Sequence, residues 1–251
     1  MSIFGLTEHL SMGLYESILQ PRKQFAVLID PDRSEDPQLD RLLGLAAEAG
    51  VDYFLVGGSL LVKDRLEACL TRIKANSKIP AILFPGSPLQ IHPLADAILF
   101  LSLISGRNPE LLIGQHVIAA PYLRQSGLEV LPTGYLLVDG GRPTTVSYMS
   151  QTAPIPADKN DIAATTALAG ELLGLKLMYL DAGSGAMNPV SSSMIRAVRE
   201  TISLPLLVGG GIRTPEQAAA AVAAGADLVV VGNVLEKEAG VLLELVRAVK
   251  G

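Results

Sequence analysis

Three stretches of this chain carry glycines, hydroxyls and carboxylates at spacings that could do chemistry. Tyr179-Leu180-Asp181-Ala182-Gly183-Ser184-Gly185 sets a carboxylate beside a hydroxyl and two glycines, and Gly209-Gly210-Gly211 and Gly232-Asn233 follow it. The last two each close a short apolar run and precede a helical pattern. Free backbone N–H groups could therefore face a phosphate, which glycine lets approach without a Cβ in the way. Read as structure alone, three glycines make a tight turn and Asp181 turns or caps the chain. Beside a phosphate, Asp181 would be repelled unless it addresses something else, such as the hydroxyls of a polyol phosphate. Asp30-Pro31-Asp32-Arg33 and Gly57-Gly58-Ser59 supply a different chemistry. Asp30 and Ser59 are hard oxygen ligands, one charged and one neutral, as suits a Mg²⁺ ion carried in on a diphosphate. Asp-Pro alone often only starts a turn.

The elements that must position these residues are legible as short β-branched or Leu-rich runs alternating with helical stretches, the pattern of a parallel sheet buried on both faces. The runs are Phe25–Ile29, Tyr53–Val56, Ala81–Phe84, Ala97–Leu101, Gly134–Val138, Leu177–Leu180, Leu206–Val208 and Leu228–Val231. Apolar faces at helical spacing follow most of them: Leu39, Leu42, Leu43 and Ala46; Ile162, Thr165, Leu168, Leu172 and Leu173; Ile195, Val198 and Ile202; Val234, Leu235, Leu242, Leu245 and Val246. Eight units predict a single-domain (β/α)₈ TIM barrel over residues 1–251. It is modified, because Pro85 to Asp96 is too short and proline-rich to hold a regular helix between strands three and four. That gap should leave the barrel wall open on one side. Asp139 to Asn160, with Pro143, Pro154 and Pro156, reads as a loop of lid length, and Val130–Leu131 as an extra short strand. Active sites of such barrels lie at the carboxyl ends of the strands, with phosphate after strands seven and eight. The predicted mouth has a monophosphate site facing a metal–diphosphate site.

Composition removes other classes. The chain has 251 residues, 49% of them hydrophobic and 18% charged, so disorder and a disulfide scaffold are excluded. A net charge of −5 argues against a nucleic-acid surface. The lone cysteine, Cys69, falls on a helix face with Leu66, Leu70 and Ile73 and reads as core in a reducing compartment. His9, His92 and His116 lack the spacing of a zinc site or a Ser/His/Asp triad and read as structural. Glu8 and His9 interrupt the start where a signal peptide would be apolar. Neither the four-proline stretch Ile79 to Ala95 nor the Ala-rich stretch from Gln217 to Asp227 can span a bilayer. The expected location is the cytoplasm or the membrane periphery, without stable insertion.

At these residues the chain resembles the geranylgeranylglyceryl phosphate synthases and their heptaprenyl relatives. The matching pieces are Leu28-Ile29-Asp30-Pro31-Asp32, Val56-Gly57-Gly58-Ser59, Pro132-Thr133-Gly134-Tyr135, Pro154-Ile155-Pro156 with Lys159, Tyr179 to Gly185, Val208 to Ile212 and Val231-Gly232-Asn233. They run in order over nearly the whole chain, and the missing third helix also marks the family. The resemblance implies Mg²⁺-dependent transfer of an allylic prenyl group, geranylgeranyl first, to the C3 hydroxyl of sn-glycerol 1-phosphate, making an ether-lipid precursor and releasing diphosphate. Carried over, Asp30 and Ser59 would hold Mg²⁺. Tyr179, Leu180, Asp181, Ala182, Gly183, Ser184, Gly185, Gly210, Gly211, Gly232 and Asn233 would bind glycerol 1-phosphate, with Tyr179 and Asp181 as catalytic residues. Lys159 would meet the diphosphate, and a homo-oligomer is expected. The open side would admit the prenyl tail along an apolar groove.

Two positions depart from the family. Leu28 stands where one branch has Lys, leaving Lys23, Arg33 or Lys159 to supply the cation for the diphosphate. Asp181 stands where Glu is usual. Two other readings share the glycine loops: a barrel isomerase or lyase acting on a sugar or indole phosphate, which needs no metal–diphosphate site, and a phosphate-ligand binder that releases no diphosphate.

Overall fold

A computed structural model describes residues 12–33, 35 and 37–251, with the backbone alone at Lys237. Glu8 and His9 lie outside the described residues. Eight parallel strands close into a barrel in sequence order. They are β1 Gln24–Ile29, β2 Tyr53–Gly58, β3 Ala81–Pro85, β4 Ala97–Leu103, β5 Glu129–Leu137, β6 Leu177–Asp181, β7 Leu206–Gly209 and β8 Leu228–Val231. The helices are α1 Leu14–Ile18, α2 Gln38–Ala49, α3 Leu66–Asn76, α4 Gln115–Ser126, α5 Thr145–Ser150, α6 Asn160–Leu172, α7 Ser192–Thr201, α8 Pro215–Ala224, α9 Asn233–Lys237 and α10 Leu242–Lys250. Every predicted strand is present, most of them longer at one end. Val130 and Leu131 are not a separate strand but the start of β5.

Successive side chains of a strand point to opposite faces, and here both faces are apolar. Ala26, Leu55, Ile82, Leu99, Tyr179, Leu207 and Val230 fill the barrel interior. Val27, Val56, Leu83, Ile98, Leu180, Val208 and Val229 pack outward into the helical layer. Leu39, Leu42, Leu43 and Ala46 form the buried face of α2 as their spacing predicts, and Cys69 is buried on α3, its thiol pushed up to about 12 by burial.

The apolar face predicted for α6 is corrected. Leu172 and Leu173 are 80% and 78% exposed, Ile162 and Thr165 are exposed as well, and the barrel is met by Ala163, Ala167 and Gly170. The reason is distance: a Cβ on Gly170 would lie 2.8 Å from Ile104 Cδ1 and 2.9 Å from Met178 Cε. So close an approach selects the small residues of the helix for the inside and turns the large ones out.

Between β3 and β4 there is only a 3₁₀ turn, Pro88–Gln90, so the packing helix is absent as predicted. The wall itself is not open, which corrects that expectation. β3 and β4 are paired, although over only Ile82↔Ala97 and Leu83↔Ile98, against seven register pairs between β4 and β5. What is missing is the layer outside the strands. The Asp139–Asn160 segment is also more ordered than a loop, holding α5 under a capping box at Thr144 and a bridge from Val138 to Ile155.

Candidate active site

The carboxyl ends of the strands surround a polar cavity lined by Asp30, Arg33, Ser59, Asp181, Ser184 and Gly185, and by Gly210, Gly211, Gly232 and Asn233 opposite them. The mouth thus brings together the two sets of residues that the sequence places on strands one and two and on strands six to eight. Ser184 Oγ donates to Asn233 Oδ1 at 3.0 Å, tying the loop after β6 to the short helix after β8. Arg33 pairs with Glu236 of α9 at 2.7 Å, closing the seam between the first and last units.

Asp181 ends β6 and is 6% exposed. The Gly183 N–H donates to its Oδ1 at 2.7 Å, and the Tyr135 O–H donates to its Oδ2 at 2.6 Å. Burial pushes the carboxyl above its ordinary range, and the Tyr135 and Gly183 donors only partly oppose this. Burial and the adjacent Asp181 hold the phenols of Tyr135 and Tyr179 well above their usual value, so both stay neutral. These two rings and Phe84 form a cluster: Phe84 stacks on Tyr179 at 5.4 Å between centroids, and Tyr135 stands edge-on to Tyr179 at 5.6 Å. Tyr135, quoted only as part of a matching motif, is thus a site residue. Its partner lies 46 residues away, a pairing no spacing reveals.

The predicted phosphate stretch is not uniformly placed. Leu180 and Ala182 are buried in the outer core, and the Gly183 N–H is committed to Asp181, so Ser184 and Gly185 are what that loop presents to the cavity. The glycines of the β7 loop also have a local reason. A Cβ on Gly210 (φ +77) would lie 2.4 Å from Asp181 Oδ1, and one on Gly211 (φ +73) would lie 2.6 Å from the Asn188 carbonyl oxygen. Protein atoms, before any ligand, require glycine there. Gly211→Val is therefore expected to destabilise the fold by about 2 kcal/mol or more, through backbone strain and overlap. A denaturant melt matching the parent's would refute this.

Among the cations, Lys23 is at the wrong end. It donates to the Ala226 carbonyl at 2.8 Å and pairs with Asp227 at 3.2 Å, ahead of β8 at the amino face. Lys159 is exposed just before α6 and is not brought to the wall of either cavity. Of the three candidates only Arg33 lines the mouth. Leu28, in the lysine position, faces the same cavity.

The Mg²⁺ expectation can be weighed on the donor set. Asp30 accepts the Asp32 N–H at 3.0 Å and shares the cavity wall with Ser59. Burial raises its pKa despite that hydrogen bond, a cost that a cation would offset. Among the described residues no three His, Cys, Asp or Glu groups gather as a metal cage. One carboxylate and one hydroxyl fit a hard ion that keeps waters and substrate phosphate oxygens as its other ligands.

A second cavity opens from the first. It is apolar, with Phe84, Pro88, Ile98, Phe100, Ala119 and Leu123 on its walls, and it lies between β3–β4 and α4, where the third helix would have packed. Gly58, Ser59, Phe84, Tyr135 and Val146 line both cavities. Val146 and Met149 of α5 contribute to this groove, so the long β5–α6 segment is part of its wall. His116 is buried in the wall with Nε2 3.1 Å from Ser102 Oγ and its ring 4.5 Å from Phe100, and burial lowers its pKa.

A geranylgeranylglyceryl phosphate synthase of Spirosoma linguale is 57% identical over 232 residues, 92% of this chain and 93% of that protein. One of Chitinophaga pinensis is 54% identical over 90% of each chain. The crystal structure of (S)-3-O-geranylgeranylglyceryl phosphate synthase from Thermoplasma acidophilum, in complex with the substrate sn-glycerol-1-phosphate, superposes with a TM-score of 0.90 at 36% identity, covering 96% of this chain and 99% of that one. The pattern of the PcrB family matches residues 17–250, and the chain belongs to that family together with these geranylgeranylglyceryl phosphate synthases.

Proposed function

We propose that the protein is a geranylgeranylglyceryl phosphate synthase-type prenyltransferase, joining an allylic prenyl diphosphate to the C3 hydroxyl of sn-glycerol 1-phosphate. The observation that carries this reading is the junction: an apolar groove and a polar, glycine-lined mouth meet at Ser59, Phe84 and Tyr135. The glycine-lined mouth would equally serve an isomerase or lyase of a sugar or indole phosphate, or a phosphate binder; the extended apolar groove joined to it favours a prenyl donor. Geranylgeranyl is the donor the relatives' names imply.

In this reading the C1–O bond of the donor breaks and its electron pair leaves with the diphosphate, while the glycerol oxygen forms the new bond to C1. Mg²⁺, held by Asp30 and Ser59, would supply charge neutralisation for the leaving diphosphate. Phe84, Tyr135 and Tyr179 cluster beside the junction, and a ring face turned towards it would favour positive charge building at an allylic carbon. Tyr135 and the Gly183 N–H hold Asp181 in one orientation, and each carboxylate oxygen retains a lone pair for the glycerol hydroxyl. An allylic cation needs little nucleophilic push, so Asp181 orients the hydroxyl and takes its proton late. Ser184, Gly185 and the loops after β7 and β8 cradle the phosphate. The test is incubation with glycerol 1-phosphate, Mg²⁺ and allylic diphosphates of graded length. The expected product mass is that of the prenyl ether of glycerol phosphate; diphosphate release without such a product, or none with any donor, overturns the reading.

A further inference from the structure

We propose that Arg213 is a positioning residue that straps the loop after β6 into the shape which receives the phosphate of the acceptor. This deepens the function proposed above and rests on it. Arg213 follows the glycines after β7 and lines the mouth, where a guanidinium is ordinarily the phosphate's counter-charge. Two of its side-chain donors, one on each terminal nitrogen, are instead spent on backbone carbonyls. Nη1 donates to the Met187 carbonyl at 2.9 Å and Nη2 donates to the neighbouring Ala186 carbonyl, while its backbone N–H donates to Gln217 Oε1 at 2.7 Å.

The strapped loop needs such a hold. Gly183 and Gly185 adopt φ of +86° and +76°, so the backbone on either side of Ser184 is of a kind that bends readily. On the far side, the Met187 and Asn188 N–H groups donate to the Gly140 carbonyl at 2.9 and 3.0 Å. Arg213 grips the same two peptide units, Ala186–Met187 and Met187–Asn188, by their carbonyls from the β7 side, and Gly211 leaves room for the Asn188 carbonyl beside them. Loops after β5, β6 and β7 are thus fastened at one point, immediately beyond the Ser184 and Gly185 that face the cavity. The fork geometry is essential: two adjacent carbonyls match a guanidinium, whereas an ammonium is a point charge that cannot reproduce the pair.

The test compares the parent with Arg213→Lys and Arg213→Ala by calorimetric titration of glycerol 1-phosphate and by steady-state kinetics in both substrates, with melting curves alongside. Both variants are expected to raise KM and Kd for glycerol 1-phosphate about tenfold or more. Their kcat at saturating acceptor should stay within about threefold, and KM for the prenyl donor should not move, because the donor lies against other loops. Lysine restoring the parent's affinity would make the residue a simple counter-charge and overturn the strap. Unchanged acceptor affinity in Arg213→Ala, or equal losses for both substrates with a lowered melting point, would overturn it too. A parent that binds glycerol 1-phosphate without forming ether refutes the proposed function, while the titrations still judge the strap. A parent that does not bind it refutes both.

Discussion

Asp30→Asn is expected to lower turnover by about 10³-fold or more, with the melting temperature unchanged within a few degrees. Asparagine keeps the volume of the side chain and an oxygen for the Asp32 N–H, so the turn after β1 survives. It removes the only charge that the Asp30–Ser59 pair offers a cation. Neutralising a leaving diphosphate is worth several kcal/mol, and each 1.36 kcal/mol is tenfold in rate. The position at the mouth is one where barrels hold chemistry rather than stability. Raising Mg²⁺ should recover part of the loss. Near-normal turnover at ordinary Mg²⁺ would remove Asp30 from the proposed metal site.

The second large effect belongs to Asp181. Asp181→Asn is expected to lose about 10²–10⁴-fold in kcat, the scale of general base work. A small structural cost accompanies this: the amide oxygen can keep the Gly183 N–H, but its NH₂ would then face Tyr135, whose hydroxyl must turn to accept and loses the acceptor it now has. The family resemblance, in which Glu is usual at this position, implies that Asp181→Glu would be tolerated. The geometry argues otherwise, since Gly183 is held by an aspartate-length contact two residues on and Gly210 bounds the slot. Asp181→Glu should fold, at an overpacking cost of about 1–3 kcal/mol in stability, and turn over about tenfold more slowly because its carboxylate is displaced from the acceptor hydroxyl. Because burial raises the Asp181 pKa and the ionised form is the base, kcat should fall, as pH drops, at a higher pH than for an ordinary carboxylate. Asp181→Asn should lack that limb. An Asp181→Asn enzyme turning over like the parent would reduce the residue to a turn former.

How far this was readable from sequence depends on the kind of information each feature uses. The strands are legible because a parallel strand buried on both faces must be apolar throughout, as in Leu228–Val231. The missing helix is legible because Pro85, Pro88 and Pro93 cannot continue one. The α6 face failed since close approach, not hydrophobicity, decides which side faces the barrel, and Gly170 carried that signal. Lys23 could have been assigned correctly: it precedes β1, and residues ahead of a parallel strand lie at the end away from the mouth. The Tyr135–Asp181 hydrogen bond and the Arg213 strap were out of reach. One joins side chains 46 residues apart on consecutive strands whose register the sequence does not fix, and the other is addressed to backbone carbonyls, which every residue possesses.

The turn that replaces the third helix has a thermodynamic consequence. In an ordinary barrel, a helix would cover the outer face of β3 and β4; here Ile98 and Phe100 border the groove instead. In the proposed reaction, the hydrocarbon of the donor lies against that face, so the lipid occupies the place of a secondary-structure element and completes the outer layer. Folding and donor binding are then linked equilibria, and occupancy stabilises the native state by mass action. With about 0.8 kcal/mol for each methylene taken out of water, melting temperature should climb with the tail length of a non-reactive donor analogue until the chain outruns the groove. Glycerol 1-phosphate, which touches none of that face, should give an increment independent of the tail. A melting temperature indifferent to tail length would place the hydrocarbon somewhere other than the vacant helix position.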